Sequence, residues 1–154
     1  MDGVIANFEK RYVELFKVEP SSARDYKEFN TFFDQFVADG HFETLEMMPD
    51  AMQLIMALRN APAPTQILSS TASEKRYKAI STQKTKWLET HDIDFQRNFV
   101  PGKQHKKKYA RIDTLIIDDT ESIINDWRAA GGVAILHKNI PDTLVQLKFI
   151  LDGA

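Results

Sequence analysis

The chain has no cysteine, which excludes disulfide staples, thiolate catalysis, zinc ribbons and iron–sulfur clusters and fits a reducing compartment. It also lacks any apolar run approaching the roughly 18 residues that span a bilayer. Its N-terminus shows no basic segment followed by an apolar stretch, so the sequence reads as cytoplasmic, with no membrane partner. Positive charge is not in excess: 20 Lys and Arg stand against 22 Asp and Glu, for a formal net charge of -2. A global positive field that would hold a long nucleic acid or an anionic surface is therefore missing. No internal repeat or low-complexity segment is visible. What remains is 154 residues, 43% apolar and 27% charged, enough for one soluble domain with a sizeable core.

The first 60 residues read as helical. Phe8, Tyr12, Leu15 and Phe16 recur at helical spacing between Ala6 and Phe16, and Pro20-Ser21-Ser22 then breaks the pattern. A second helix is predicted from about Arg24 to Ala38, with Phe29, Phe33, Phe36 and Val37 on one face and Asp39-Gly40 as its stop. Pro49-Asp50 opens a third through Ala51, Leu54, Ile55 and Leu58. From residue 65 the pattern changes. TQILSST (65–71) reads as a strand leading into a helix from Ser73 to about His91, with Tyr77, Ile80, Trp87 and Leu88 as its buried stripe. Phe99-Val100 forms a short strand, and the basic segment KQHKKKYAR (103–111) precedes TLIIDD (114–119), another strand. A helix with Ile123, Ile124 and Trp127 inward, the strand GVAILH (132–137) and a last helix opened by Pro141 complete the chain. Strands alternating with helices predict an α/β fold with a parallel sheet and crossover helices, and the earlier helices look like an insertion.

In such sheets ligands bind at the carboxyl ends of the strands, where the sequence places Ser69, Ser70, Asp118 and Asp119. Two adjacent carboxylates at a strand end are costly unless a cation or hydrogen-bond donors neutralise them, and oxygen ligands of this kind suit Mg²⁺. A helix cap at Asp119 or Thr120 would account for one carboxylate and leaves the other without a role. Ser69, Ser70 and Thr71 could hold phosphate oxygens at a helix start, or serve only as N-caps. Of Lys106, Lys107 and Lys108, most read as a solvated face, and one projecting into the crevice would offset the carboxylates and bind a phosphoryl oxygen. His41, His91, His105 and His137 show no metal-ligand spacing.

MDGVIANF at the start, ILSST at 67–71, Lys108, and LIIDD at 115–119 occur in the order of the four motifs of haloacid dehalogenase (HAD) superfamily phosphatases, which the sequence resembles over nearly its whole length. The helical insertion after the first motif, approximately residues 15–48, the segment HFETLEMMPDA (41–51) and the IIDD ending are most similar to the 5'(3')-deoxyribonucleotidases and their small bacterial and viral relatives. The resemblance implies a single HAD-like domain over 1–154, a Rossmannoid parallel sheet with a small helical cap. It implies that Asp2 is the general acid and base and a metal-binding residue. By the same resemblance Ser69, Ser70 and Lys108 bind phosphate, Asp118 and Asp119 bind Mg²⁺, and Phe8 and Phe42 face a nucleobase. For either Phe, packing in the core is the other reading.

In the family's first motif, D-x-D-G-[VT], Met1 takes the middle position. The nucleophilic Asp and the first strand therefore correspond to residues before Met1. This leads to three expectations. The sheet shows a gap beside the 114–118 strand, or fills it from elsewhere; the chain as it stands is of low stability; and it turns over phosphate esters negligibly. The implied function is Mg²⁺-dependent hydrolysis of a phosphate monoester, a nucleoside monophosphate above all. The alternative is a catalytically inactive phosphate- or nucleotide-binding protein of the same fold. A 3'-phosphatase acting on nucleic-acid ends is disfavoured by the acidic balance and the cap. A small phosphate ester is the expected partner, no long nucleic acid is expected, and a homodimer is left open.

Overall fold

The computed structural model describes residues 1–22 and 26–153. Three helices precede the first strand: α1 (Phe8–Phe16), α2 (Tyr26–Ala38) and α3 (Ala51–Arg59). The start expected for α2, near Arg24, lies outside the described residues. Asn7 caps α1 by accepting the Lys10 N–H, which satisfies one of the free donors of the first turn. The aromatic residues of this region pack on one another. Tyr12 and Phe36 are wholly buried, and Phe8, Phe16, Phe29 and Phe32 close around them. Ring pairs such as Phe16 on Phe32, 4.6 Å apart, bind α1 to α2. Leu15, placed by the periodicity in the apolar stripe, is instead exposed. At about 100° per residue it lies roughly 60° round the helix from Tyr12, on the side opposite Phe16, at the border of the buried stripe.

The remainder alternates strand and helix: β1 (Gln66–Ser70), α4 (Tyr77–Thr90), β2 (Gln96–Val100), β3 (Leu115–Asp118), α5 (Glu121–Ala129), β4 (Val133–Leu136) and α6 (Ile140–Asp152). A 3-10 helix, Lys103–Tyr109, stands between β2 and β3. The fold is α/β with parallel strands, as the pattern implied. β1 pairs with β2 in parallel with Ser69 opposite Phe99, and β3 pairs with β4 with Asp118 opposite Leu136. Among the described residues these are two separate two-stranded sheets. No ladder joins β1 to β3, which is the gap expected beside the 114–118 strand.

Short two-stranded sheets are marginal alone, so side chains must tie the halves. Ile67 of β1 lies in one continuous core with Ile135 of β4, Leu54 and Ile55 of α3, Ile80, Trp87 and Leu88 of α4, and Leu147 of α6. A smaller cluster of Ile116, Ile123, Ile124, Trp127 and Ala134 lies under α5. Helix α4 starts four residues later than Ser73, because Ala72 adopts a positive φ of 67° and Ser70 Oγ accepts its N–H at 3.0 Å. Tyr77 is consequently exposed at the helix start and is not in the buried stripe. No helix among the described residues is long and apolar enough to cross a membrane.

Candidate functional site

The carboxyl ends of β1 and β3 carry the polar side chains that the core excludes. Ser69 is buried at the end of β1, and its hydroxyl accepts a hydrogen bond from Lys84 Nζ at 2.8 Å. Lys84 projects from α4 and is 1% exposed. Its ammonium donates also to Asp2 Oδ2 at 2.7 Å and to the carbonyl of Ser70 at 2.8 Å, and it lies 5.0 Å from the centre of the Phe42 ring. Burial drives the Lys84 pKa below its usual range, against the pull of the Asp2 carboxylate. All three donors of this ammonium are thus occupied, which is what a buried lysine requires.

On the β3 side, Asp118 is buried and pairs with Lys106, Nζ to Oδ2 2.7 Å. Its Oδ1 accepts the Thr120 N–H at 3.0 Å. Burial pushes the Asp118 carboxyl up, but Lys106, followed by the Met1 ammonium and the Thr120 N–H, outweighs it and holds the pKa below the ordinary 3.8. Asp119 is exposed, and its pKa is raised by desolvation and then by repulsion from Asp118. The first residues of the chain touch both sides. Asp2 meets Lys84, which also holds Ser69, while Gly3, with φ +74°, lies so close under Asp119 that a Cβ there would sit 1.9 Å from Asp119 Oδ2. The positive φ favours glycine, and any Cβ there would displace the Asp119 carboxylate from its present place.

The sequence-predicted residues therefore separate into groups. Asp2, Ser69 and Ser70 meet around Lys84, and Asp118 and Asp119 stand at the neighbouring strand end. Lys108, expected to bind phosphate, does not join them: it is exposed, and its Nζ lies 2.9 Å from His105 Nδ1. In this 3-10 helix Lys106 alone of the three lysines is buried, drawn inward onto Asp118, whereas Lys107 and Lys108 are exposed. Lys106, rather than the Lys108 that the resemblance implied, is the lysine at the acidic pair. Phe42 is 3% exposed, stacked on Phe8 at 5.5 Å and met edge-on by Phe33 and Phe36. With Lys84 over its ring it offers no free face to a base, and only Phe8 keeps partial exposure.

Lys84 is the residue that the sequence reading missed. Its signal was present: it falls between Ile80 and Trp87-Leu88 at helical spacing, inside the apolar stripe, where a lysine requires a buried partner.

Among the described residues no three His, Cys, Asp or Glu side chains converge as a metal cage. Mg²⁺ seldom needs one, since it is held by one or two carboxylates and takes its other ligands from phosphate and water. Two features suit it. Asp2 Oδ1 is buried without a hydrogen-bond partner, and the exposed Asp119 carboxylate is bound by no lysine or arginine among the described residues.

No protein-family model matches the sequence, and no curated protein matches it significantly. Among solved structures, the chain is similar to one described as a hydrolase from Streptococcus pneumoniae TIGR4, at 16% identity with a TM-score of 0.54, covering 99% of this chain and 95% of that one. At that identity the likeness concerns the arrangement of the whole chain: an α/β fold of parallel strands, shared from end to end.

Proposed function

We propose that the site handles the phosphoryl group of a small phosphate monoester and, completed by a carboxylate nucleophile, hydrolyses it with Mg²⁺. The observation that carries this reading is the pair of buried lysines, Lys84 held on Asp2 and on the Ser69 hydroxyl at the end of β1, and Lys106 held on Asp118 at the end of β3. Buried ammonium groups at the carboxyl ends of parallel strands neutralise a phosphoryl group as point charges and stabilise the charge that develops on transfer. The similar structure is that of a protein described as a hydrolase, which agrees with a hydrolytic role.

In this reading the HAD-like motif order places the attacking carboxylate immediately before Met1. It displaces the leaving alcohol at phosphorus. Asp2 gives the alcohol its proton and afterwards takes one from the water that frees the phosphate. Lys84 orients the Asp2 carboxylate and Ser69 together, and Ser70 adds its hydroxyl to the same loop. Mg²⁺, held by Asp118 and Asp119 with Asp2, would supply charge stabilisation on the transferring oxygens. A nucleoside monophosphate is the substrate class favoured by the motif context, with its base beside the exposed part of Phe8.

The test uses the chain extended upstream by several apolar residues ending in Asp, compared with the same extension ending in Asn. The Asp form is expected to release phosphate from nucleoside 5'-monophosphates with Mg²⁺, and the Asn form to fold without activity. An Asp form that is stable but inert on nucleotides, sugar phosphates and aryl phosphates refutes the hydrolase reading and leaves phosphate binding without turnover.

A further inference from the structure

We propose that the open groove between α4 and residues 40–43 is a second anion site, outside the strand-end pocket, which takes a chain of linked phosphates. The groove has a volume of about 510 Å³, the size of a small-molecule site. Three ammonium groups line it, those of Lys75, Lys78 and Lys86, against one carboxylate, Glu43. Net positive charge is thus gathered round one concavity of a chain whose formal charge is -2, and a cleft of one sign attracts its counter-ion.

The fold itself gives these lysines little to do. Lys86 lies 3.6 Å from Glu43 with side chains 55% and 40% exposed, and such a pair contributes little in water. Lys75 and Lys78 make no ion pair among the described residues. Asp34, whose carboxylate Lys75 acts on, is already held by Arg76 at 2.7 Å. Glu74, four residues before Lys78, does not pair with it either. Nor do the cations stabilise α4, whose first turn holds no acidic residue. Ammonium groups at that end oppose the helix dipole.

The layout sets the length of the ligand. Lys78 and Lys86 stand eight residues apart on α4, which at 1.5 Å per residue separates their backbones by roughly 12 Å along the axis. Lys75 precedes the helix and adds its charge at the Lys78 end. Ala79 and Thr82 line the stretch between, with no carboxylate. One phosphate meets the cations of one end only, whereas several in a chain reach both, each ammonium acting as a point charge. The groove also connects to the interior. Gln83, which lines it, accepts the Phe42 N–H at 3.2 Å and donates to the carbonyl of Val37 at 2.8 Å, so an occupant is felt at the Phe42 amide.

Titration of the full chain with inorganic tripolyphosphate, pyrophosphate and orthophosphate in metal-free buffer provides the test, read from the NMR amide signals of Gly40, Phe42 and Thr82. The signals of Ser69 and Asp118 report separately on the strand-end pocket. At the groove, tripolyphosphate is expected to bind about tenfold tighter than orthophosphate, with pyrophosphate between. Lys78→Gln and Lys86→Gln are each expected to weaken tripolyphosphate about fivefold, and the two together about twentyfold. Both side chains are exposed, so the fold is kept, which circular dichroism checks. Lys107→Gln with Lys108→Gln removes the same charge from the 3-10 helix and is expected to change groove binding by less than about twofold. Groove signals that stay still to millimolar tripolyphosphate overturn the proposal. So does orthophosphate that binds there as tightly as tripolyphosphate, or an equal loss in the Lys107 and Lys108 variant, which would reduce the effect to diffuse surface charge.

Discussion

Replacing each of the two adjacent carboxylates by its amide has opposite consequences, because one is paired in the interior and the other is not. Asp118 and Lys106 are in contact at 2.7 Å with side chains 6% and 8% exposed. Removing one partner of such a pair leaves a buried charge without compensation and costs about 3 to 5 kcal/mol. Asparagine still offers Lys106 a carbonyl oxygen, so Asp118→Asn belongs at the bottom of that range, about 3 kcal/mol. For a chain of this length 1 kcal/mol corresponds to about 2 to 4 °C in Tm, which gives a loss of roughly 6 to 12 °C. Asp119→Asn removes repulsion with Asp118 at an exposed position, where solvent limits the gain to about a few tenths of a kcal/mol, and Tm is expected to hold or rise slightly. The pH dependence follows from the shifts. The Asp118 pKa is below its ordinary 3.8 when folded, so its contribution is fully present above that value and is lost as pH falls through the folded pKa. The difference between wild type and Asp118→Asn is therefore constant from pH 7 to about 4 and shrinks below. Thermal unfolding followed by circular dichroism in metal-free buffer at pH 3, 4, 5 and 7 measures both. Equal losses for the two amides, or an Asp118→Asn protein within 1 kcal/mol of wild type at pH 7, would refute the buried-pair reasoning.

Lys106→Ala is expected to cost about 3 kcal/mol by stranding Asp118, and Lys108→Ala less than about 0.5 kcal/mol, as read by urea unfolding. Lys84 has a lowered pKa when folded. The native state therefore releases its proton first, and stability rises with pH between the folded pKa and 10.5. Lys84→Met should abolish that rise, which melts taken between pH 7 and 10 would show. Gly3→Ala should destabilise by more than Gly40→Ala. Both glycines have φ +74°, but only the Gly3 Cβ meets Asp119, and nothing lies within 4 Å at Gly40. The Gly40 change isolates the backbone cost of about 1 to 2 kcal/mol, and chemical denaturation of both variants gives the excess at Gly3.

The strands and crossover helices were legible because each carries a strong local signal, an apolar run ended by a turn or a 3.6-residue stripe. β2 was caught only at Phe99-Val100, although it begins at Gln96. It lies at the edge of its sheet, where Gln96, Arg97 and Asn98 remain partly accessible and leave no alternation to read. Residues at strand ends were placed by topology, so Ser69, Ser70, Asp118 and Asp119 could be located without contacts. Lysines were not, since their reach lets a helix or a 3-10 turn deliver the ammonium from a distant position. The choice between Lys106 and Lys108 turned on a tertiary contact, the pairing of Lys106 with Asp118, that no local spacing announces. The burial of Phe42 arose from neighbours on α1 and α2, which periodicity within one element cannot supply.

Helix α4 holds more than Lys84. Arg76 at its start donates to Asp34 and Asn30 of α2 and covers the Phe33 ring at 5.2 Å. Gln83 accepts the Phe42 N–H and donates to the carbonyl of Val37, and Trp87 Nε1 donates to the carbonyl of Leu45. One rod thus grips the helical layer at three levels while a fourth side chain reaches the polar pocket. A tilt of that layer would break these bonds in succession and pull the ammonium from Asp2 and Ser69, so the layer behaves as a rigid collar. The placement of the helical layer and the seating of a buried charge 15 residues from Ser69 are thereby one variable: neither can change while the other stays.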